Sequence, residues 1–282
     1  MDCTPVSCYL CGAAEHTPWG AEHGFTMVRC AGCGLVYLNP RPPEDAIDEA
    51  ARTGLHKFGA GMLNAVGSYS TKKVADCRAK LEHLFEEEPL SGRAVRWLDV
   101  GAGFGELLEA ARHLAGPGSD VLGIDPCAPK VDKGRARGLP VETTPLSEVE
   151  GTFDIISLIN VYSHLPDPVE FLRTLRGKLR EQGTVVLVTG NGADVARDRF
   201  PGSLYLPDHL SFAGEKHLHT VFVRAGFEVA HLDKYPALPS LDSPPVTALK
   251  NVARKLTGRP TAPLFFPKDS AYRALWIRAR LL

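Results

Sequence analysis

A glycine-rich segment between a predicted strand and a predicted helix restricts the fold more than any other feature of this sequence. Residues 94–100 form a mainly apolar run, and Gly101, Gly103 and Gly105 follow it at every second position. A helical pattern occupies residues 106–114 directly afterwards. Glycine lets the backbone approach a ligand closely, and a helix N-terminus offers free N–H groups. The segment therefore predicts the opening strand, ligand-binding loop and first helix of a βαβ unit.

Strands and helices continue to alternate along the chain, and this alternation predicts the fold class. Later strand-like runs cover residues 121–124, 153–159, 184–189, 227–232 and 272–280, and helical runs cover 168–180 and 216–225. Strands that alternate with helices form mainly parallel sheets covered on both faces. We therefore predict an α/β fold with a Rossmann-like, doubly wound, mostly parallel sheet.

Acidic residues around the glycines indicate which ligand the loop binds. In a nicotinamide-binding loop the sixth position counted from Gly101 is Gly or Ala, whereas here it is Glu106, whose charge repels a pyrophosphate. S-adenosylmethionine has no phosphate, so Asp99 and Glu106 are compatible with its amino group and sulfonium. Asp125 follows the second strand, where a carboxylate can accept hydrogen bonds from ribose hydroxyls. We predict an S-adenosylmethionine site that includes Asp99 and Asp125.

Four stretches of the chain resemble the class I S-adenosylmethionine-dependent methyltransferases, in particular the small-molecule type that includes the ubiquinone-biosynthesis O-methyltransferases. They are Leu98-Asp-Val-Gly-Ala-Gly-Phe-Gly105, Gly123-Ile-Asp-Pro126, Phe153-Asp-Ile-Ile156 with His164-Leu-Pro-Asp-Pro168, and Pro207-Asp-His-Leu-Ser-Phe212 with Ala225-Gly-Phe-Glu-Val229. The resemblance extends from about residue 97 to residue 232. It implies a seven-stranded sheet and transfer of a methyl group from S-adenosylmethionine.

The same resemblance implies which residues hold the cofactor. The methionine part is expected at Gly101, Gly103, Gly105 and Asn160, the ribose at Asp125 beside Pro126, and the adenine near Thr143 and Thr144. Tyr69, in the segment before the sheet, is a further candidate for cofactor contact, with simple packing as the alternative. In one departure, Tyr162-Ser163-His164 replaces the Leu-Glu-His that is common in the family, which leaves the acceptor side open.

Two Cys-x-x-Cys pairs near the N-terminus predict a metal site. The pairs are Cys8 with Cys11 and Cys30 with Cys33, and a glycine follows the second cysteine of each pair. The distance between the pairs in the sequence is typical of four-cysteine zinc sites. Four thiolates fill the coordination sphere of zinc, so a structural zinc ribbon is expected, with iron as the alternative metal. The ribbon and the following Asn39-Pro-Arg-Pro42 also resemble the N-terminal ribbon of some bacterial natural-product methyltransferases, which implies a role in antibiotic biosynthesis.

The sequence predicts three regions. Residues 1–43 form the zinc ribbon and linker, residues 44–92 a helical lead-in, and residues 93–282 the methyltransferase domain. A Pro-rich insertion at about residues 236–268 is longer than a hairpin needs, and loops of such length often form lids. The basic residues of this insertion could contact an acidic substrate or form an ordinary solvent-exposed face. The three remaining cysteines, Cys3, Cys77 and Cys127, are expected to be inert thiols.

Methyl transfer requires a group that removes a proton from the acceptor where the nucleophile carries one. His209 is the first candidate because Tyr205, Asp208 and Ser211 surround it in sequence, and Tyr205 is a second polar group for the reaction. His164, which follows the fourth strand, is the alternative base. Both histidines lie in loops expected at the carboxyl ends of parallel strands, where such sheets bind ligands.

Composition restricts the partners. The formal net charge is −1 and charged residues make up 23% of the chain, which argues against a polyanion as substrate. No stretch approaches the roughly 18 apolar residues of a membrane span, and the N-terminus lacks the pattern of a signal peptide, so a cytoplasmic protein without a membrane partner is expected. A small-molecule acceptor is the main prediction. An RNA base methyltransferase and a non-catalytic binding protein are the alternatives, and the oligomeric state is left open.

Overall fold

The N-terminal cysteine pairs lie at one end of a small antiparallel sheet. In the computed structural model, which describes residues 2–236, 248–252 and 271–282, this sheet begins with β1 (His16–Glu22), β2 (Phe25–Cys30) and β3 (Val36–Leu38). His23 and Gly24 connect the first two strands, and both have positive φ angles (54° and 84°). Such a two-residue turn matches the twist of a hairpin. The predicted ribbon therefore contains a regular hairpin.

The lead-in segment contains two helices with a hairpin between them. The elements are α1 (Glu44–Thr53), β4 (Leu55–Phe58), β5 (Gly61–Asn64) and α2 (Thr71–Leu84). The predicted helical lead-in is present as α1 and α2. The hairpin between them was not predicted: Gly54 (φ 69°) ends α1 and Gly59 (φ 51°) turns the chain. The apolar residues at helical spacing, Val74, Cys77, Leu81 and Leu84, form the buried face of α2.

The main sheet has seven strands in the part of the chain that the structure describes. They are β6 (Arg96–Val100), β7 (Asp120–Ile124), β8 (Val141–Glu142), β9 (Phe153–Ile159), β10 (Leu179–Gly190), β12 (Phe227–Pro236) and β13 (Arg273–Leu281). Their spatial order is β12-β13-β10-β9-β6-β7-β8. The five strands from β10 to β8 are parallel, and β13 is antiparallel to both β10 and β12. The predicted seven-stranded, mostly parallel sheet is confirmed.

Helices cover both faces of this sheet. After α2 come α3 (Glu106–Leu114), α4 (Ala128–Arg135), α5 (Pro168–Arg176) and α6 (Glu215–Ala225). Trp97 on β6 packs in one core with residues of α2 and α3, whereas its neighbour Leu98 packs in the other core with residues of α5 and α6. This alternation is the two-residue period of a strand that is buried on both faces. Among the described residues, no helix combines the length and apolarity that a membrane span requires.

The ribbon is joined to the main domain by a shared strand. A short strand, β11 (Ser211–Phe212), pairs antiparallel with β3, so a segment from the second half of the chain completes the ribbon sheet. Leu35 and Tyr37 of the ribbon also belong to the core that covers Leu98. The predicted boundary near residue 43 therefore separates regions of sequence that pack closely together in space.

The Pro-rich insertion predicted at about residues 236–268 lies almost entirely outside the described residues. Pro236 ends β12, and residues 248–252 are helical. The predicted lid consequently stays a prediction.

Candidate active site

A large cavity opens at the carboxyl ends of the parallel strands. Its volume is about 980 Å³, and its wall combines the loops after β6, β7 and β9 with α1 and the hairpin of the lead-in. Ligands of open α/β sheets bind at this edge, and the volume lies in the range of small-molecule sites. The glycine loop forms the floor of this cavity.

The three predicted glycines have different roles in the loop. Gly101, Gly103 and Gly105 all have positive φ angles, which favour glycine. A Cβ atom on Gly101 would collide with Val161, and one on Gly105 would collide with Leu139, whereas one on Gly103 would meet no heavy atom within 4 Å. Gly101 and Gly105 therefore allow the loop to pack, and Gly103 leaves space on the cavity side. Gly105 itself is the N-cap of α3 and lies outside the cavity wall.

Asp125 fastens the glycine loop to the end of β7. Its two carboxylate oxygens accept hydrogen bonds from the backbone N–H groups of Gly103 and Cys127, each at 2.8 Å. The side chain is buried and lines the cavity. A carboxylate has about four acceptor positions, so two remain for a ligand hydroxyl. Asp125 thus combines loop geometry with the capacity expected of a ribose ligand.

Asp99 lies at the end of β6 in a chain of buried hydrogen bonds. The indole N–H of Trp97 donates to Ser157 Oγ (2.9 Å), and the Ser157 hydroxyl donates to Asp99 Oδ1 (2.6 Å). Burial raises the pKa of the Asp99 carboxyl to about 7, although the Ser157 hydrogen bond opposes this shift. A cationic ligand group beside Asp99 would stabilise the ionised form.

Glu106 provides the least satisfied acceptor of the site. Its side chain is buried at the start of α3, with Lys73 Nζ 3.4 Å from Oε2 and no hydrogen-bond partner for Oε1. A buried carboxylate oxygen without a partner is costly unless a ligand supplies a donor. The ammonium of S-adenosylmethionine is such a donor. Together with the open space at Gly103 and the free acceptor positions of Asp125, this oxygen makes the residues present fit that cofactor.

Three of the other predicted cofactor residues line the cavity, and Tyr69 does not. Asn160, Thr144 and Pro126 line the cavity. Asn160 has a φ angle of 58° at the end of β9, a conformation that asparagine tolerates better than most residues. Tyr69 lies outside the wall, because its hydroxyl donates to Glu109 Oε2 (2.9 Å) and its ring is covered by the Arg137 guanidinium. For Tyr69 the structure therefore favours packing over cofactor contact.

A histidine–aspartate–histidine group forms another part of the cavity wall. His164 Nδ1 lies 3.0 Å from Asp208 Oδ1, and His56 Nε2 lies 3.0 Å from the same oxygen. All three residues line the cavity. Burial alone would lower the pKa of His164 and raise that of Asp208. Their mutual attraction prevails, so the pKa of His164 is raised and that of Asp208 lies far below its ordinary value.

His209 and Tyr205 lie away from the cavity wall. His209 Nδ1 is 2.9 Å from the Leu204 carbonyl oxygen, and its ring packs edge-on against Phe212. Burial and the neighbouring His164 lower the pKa of His209 to about 4. Tyr205 is half exposed and contacts the His209 ring. Of the two predicted histidines, His164 lines the cavity and contacts the Asp208 carboxylate, whereas His209 lies behind the wall with Nδ1 at the Leu204 carbonyl oxygen.

Sequence reasoning missed His56 and Lys73 as members of the site. Both come from the lead-in, about 30 to 45 residues before the glycine loop, and no local motif marks them. His56 belongs to the hairpin that was expected to be helical. Only the fold brings these residues to the same edge of the sheet.

Comparison with known families agrees with this arrangement. A family model described as a methyltransferase domain matches residues 69–232, which is more than half of the chain. The chain belongs to this methyltransferase family. The match begins at α2 and ends within β12, so it contains the glycine loop, Asp125 and the Asp208 loop. The predicted membership of the S-adenosylmethionine-dependent methyltransferases is confirmed.

Individual relatives and solved structures share parts of the methyltransferase domain. A ubiquinone biosynthesis O-methyltransferase of Bordetella avium (strain 197N) is 34% identical over 113 residues, 36% of this chain and 44% of the relative. The corresponding protein of Rhizobium johnstonii is 29% identical over 140 residues, 45% of this chain and 55% of the relative. The matched regions thus span about half of these relatives' lengths.

Solved structures show the same fold at low sequence identity. A cyclopropane synthase of Mycobacterium tuberculosis has a TM-score of 0.52 at 14% identity, over 72% of this chain and 83% of its own. A geranyl diphosphate C-methyltransferase of Streptomyces coelicolor A3(2) has a TM-score of 0.51 at 15% identity, over 72% of this chain and 76% of its own.

The four predicted metal ligands of the ribbon converge. Cys8 Sγ lies 3.6 Å from Cys33 Sγ, Cys11 Sγ lies 3.4 Å from Cys30 Sγ, and all four sulfur atoms lie within 4.8 Å of one another. A tetrahedral zinc with Zn–S bonds of about 2.3 Å requires sulfur atoms roughly 3.7 Å apart. The thiolates therefore fit zinc, which would close the ribbon loops and leave no coordination position for a reaction.

The ribbon contacts the loop that carries His164. Tyr9, located between Cys8 and Cys11, makes a hydroxyl–hydroxyl hydrogen bond of 2.6 Å with the buried Tyr162. His217 on α6 accepts from the Gly214 N–H at Nδ1 and must therefore donate from Nε2 to the Cys33 carbonyl oxygen (2.8 Å). Both cysteine pairs of the ribbon are thus connected to the methyltransferase domain.

Proposed function

We propose that this protein transfers a methyl group from S-adenosylmethionine to an oxygen, nitrogen or carbon nucleophile of a small-molecule acceptor. The observation that carries the proposal is one cavity with two chemically different walls. One wall holds the glycine loop and the acids Asp99, Glu106 and Asp125, and the other holds His164, Asp208 and His56. Natural-product (antibiotic) biosynthesis is the setting that the resemblance of the ribbon supports.

The first wall would bind the cofactor. Glu106 and Asp99 would face its ammonium and sulfonium, Asp125 would accept from the ribose hydroxyls, and the loop after β8, with Thr144, would lie against the adenine. S-adenosylmethionine supplies an activated methyl group for in-line displacement by the acceptor. Alignment of the acceptor with that methyl group is then the main task of the protein.

The second wall would remove a proton from the acceptor. His164 Nδ1 has the Asp208 carboxylate and the Asp208 carbonyl oxygen, each at 3.0 Å, as neighbours. Both neighbours accept hydrogen bonds, so Nδ1 carries the hydrogen in the neutral ring and Nε2 holds the free electron pair. An acceptor hydroxyl or ammonium would give its proton to this Nε2. Asp208 would stabilise the imidazolium that forms.

Two cations favour an acceptor with an acidic group. Arg52 on α1 and Lys130 on α4 line the cavity, and neither has an acidic partner among the described residues. Lys130 is close enough that its charge opposes protonation of His164. Ile47, Ala50 and Val66 supply apolar surface to the same cavity. We infer an acceptor with an apolar body and a carboxylate or comparable anion.

A K130Q variant tests this inference in an acceptor screen. With an acidic acceptor, K130Q should raise KM several-fold and change kcat little. An uncharged acceptor of the same shape should not distinguish the variant from the wild type. Equal KM changes for both acceptors would remove Lys130 from acceptor recognition.

The ribbon would hold one structural zinc ion through Cys8, Cys11, Cys30 and Cys33. The convergence of the four sulfur atoms supports this proposal. Zinc would hold together the two loops that carry the cysteine pairs. It would also keep Tyr9 in position against Tyr162, two residues before His164.

A further inference from the structure

A second cluster of metal-ligating side chains lies away from the cavity, between the end of α2 and the edge strand β12. His83, His231 and Asp233 place one ligand atom each within 4.8 Å of the others. His231 and Asp233 are two residues apart on β12 and therefore project from the same face of the strand. His83 reaches them from the last turn of α2. The residue types are those that zinc and related ions prefer.

The distances in this cluster correspond to the edges of a coordination polyhedron. Asp233 Oδ1 lies 3.2 Å from His231 Nε2 and 3.6 Å from His83 Nε2. A tetrahedral zinc with bonds of about 2.0–2.2 Å to nitrogen and oxygen requires ligand atoms roughly 3.3–3.6 Å apart. His231 Nε2 is buried and makes no hydrogen bond, although the carboxylate oxygen is near. The geometry therefore fits a shared ion better than a hydrogen bond between these two groups.

Neighbouring groups hold the ligands in the orientation that a metal requires. His83 Nδ1 lies 3.2 Å from Glu86 Oε2, which can only accept a hydrogen bond, so the free electron pair of neutral His83 lies on Nε2. The Tyr235 hydroxyl donates to Asp233 Oδ2 (3.3 Å) and leaves Oδ1 to the cluster. Carboxylates that accept from the second nitrogen of a histidine are typical of protein metal sites.

The histidine–aspartate group in the cavity differs from this cluster. There, the Nδ1 atoms of His164 and His209 lie at hydrogen-bond distance from oxygen acceptors, at 3.0 and 2.9 Å. His56 contacts the same Asp208 oxygen at 3.0 Å. The cavity group is therefore a hydrogen-bonded network of the candidate active site.

We propose that His83, His231 and Asp233 bind a divalent transition-metal ion such as zinc, independently of the four-cysteine site. Such an ion would join α2 to β12. Because α2 also carries Lys73 against Glu106, the ion would fix the helix that borders the cofactor wall. The fourth coordination position would be open to water, since the His83 side chain is half exposed.

Cobalt titration of the zinc-loaded, full-length protein tests the proposal. With zinc in the ribbon, added Co²⁺ should bind in a further equivalent and produce visible d–d bands without the charge-transfer absorption of a cobalt–thiolate bond. H231Q and D233N should each abolish these bands. H219Q, which changes an exposed histidine of α6, is the matched control and should bind as the wild type does.

A further variant tests the orientation of His83. E86Q should weaken Co²⁺ binding by about 10- to 100-fold, as loss of an outer-sphere carboxylate typically does. Circular dichroism establishes whether each variant is folded. If H231Q does not fold, the test rests on D233N, which preserves the shape of the side chain. A wild-type protein that takes up no Co²⁺ beyond the ribbon site would overturn the proposal. Wild-type binding by folded D233N would overturn it equally.

Discussion

Individual residues of the cavity are defined more by their partners than by their place in the sequence. Asp208 illustrates this point, because its sequence neighbour His209 points to Leu204 while its carboxylate bridges His164 and His56. Asp125 likewise fixes the glycine loop through Gly103 before any ligand is bound. The predictions at this scale concern Asp99 and His164, whose surroundings shift their pKa values.

The pH dependence of cofactor binding should depend on Asp99. Burial raises the pKa of this carboxyl to about 7, so it carries a proton below that pH and a charge above it. A cationic cofactor binds the charged form better, so the affinity for S-adenosylmethionine should increase as the pH rises through about 7. Calorimetric titrations at a series of pH values check this expectation. D99N should lose that pH dependence, and a wild-type profile in D99N would assign it elsewhere.

Asp99 also affects stability in the opposite direction. Its pKa in the folded state exceeds the ordinary value of 3.8, so the folded state holds more protons than the unfolded state between pH 3.8 and about 7. The stability contributed by this group is therefore present at low pH and is lost as the pH rises through that window. Replacement by Asn should remove the trend from chemical unfolding curves.

Methyl transfer should depend on His164 rather than on His209. H164Q should lower kcat by about 10²–10⁴-fold with cofactor affinity nearly unchanged, because it removes the proposed base. The rising limb of the rate–pH profile should lie above pH 6.5, since Asp208 raises the pKa of His164. D208N should move that limb to lower pH. An H164Q enzyme that reacts at the full rate would exclude His164 as the base. If H209Q were slow and its rate–pH profile were shifted, His209 would be the base instead.

At the scale of elements, the sequence predicts regular strands and helices well and the contacts between distant segments poorly. The first helix after the glycine loop, residues 106–114, is confirmed at both ends. The long predicted helix at 168–180 ends at Arg176, because β10 already begins at Leu179. The hairpin of β4 and β5 was missed, since the apolar spacing that indicated helix belongs entirely to α2. Pairing of β11 with β3 joins residues about 175 positions apart, and no local pattern can encode it.

The candidate site shows the same limit. The cofactor wall was predictable because its loop, acid and strand ends are local motifs in a regular βαβ order. The acceptor wall was not, because His56, Asp208 and His164 come from three separate segments. The sequence identified both loops, but it did not predict that the Asp208 carboxylate contacts His164 and His56.

Metal release should affect the ribbon first. C30S should lose the proposed zinc, as measured by metal analysis, and unfold at a lower temperature because the sulfur cluster can no longer close. Cofactor affinity should change little, since the glycine loop is held by Asp125 and not by the ribbon. C3S, at a half-buried cysteine outside the cluster, is the control. A wild-type protein without zinc would contradict the ribbon assignment.

The hydrogen bond between Tyr9 and Tyr162 should connect the ribbon to catalysis. Y9F removes one hydroxyl while the ring can stay in place, and it leaves the hydroxyl of the fully buried Tyr162 without this partner. Such a loss costs about 1–3 kcal/mol. Thermal unfolding should detect the cost, and kcat should fall while zinc content stays constant. An unchanged kcat would show that the His164 loop is held without the ribbon.

At the scale of the whole molecule, the fold arranges the cavity and the four-cysteine ribbon around the seven-stranded sheet. The parallel strands bring their carboxyl ends to one edge, the lead-in covers this edge, and the ribbon supports the loop after β9. The near-neutral net charge agrees with a small acceptor rather than a nucleic acid. Cofactor binding is the property on which the proposed methyl transfer depends.

Calorimetric titration with S-adenosylmethionine tests that property most directly. The wild-type protein should bind one equivalent with micromolar affinity at physiological salt, and D125A should bind it more weakly by about 1.5–3 kcal/mol. A structured RNA fragment titrated under the same conditions should give no signal. Folded protein that binds no S-adenosylmethionine would contradict the central claim, and tight, salt-sensitive binding of the RNA would contradict the small-molecule acceptor.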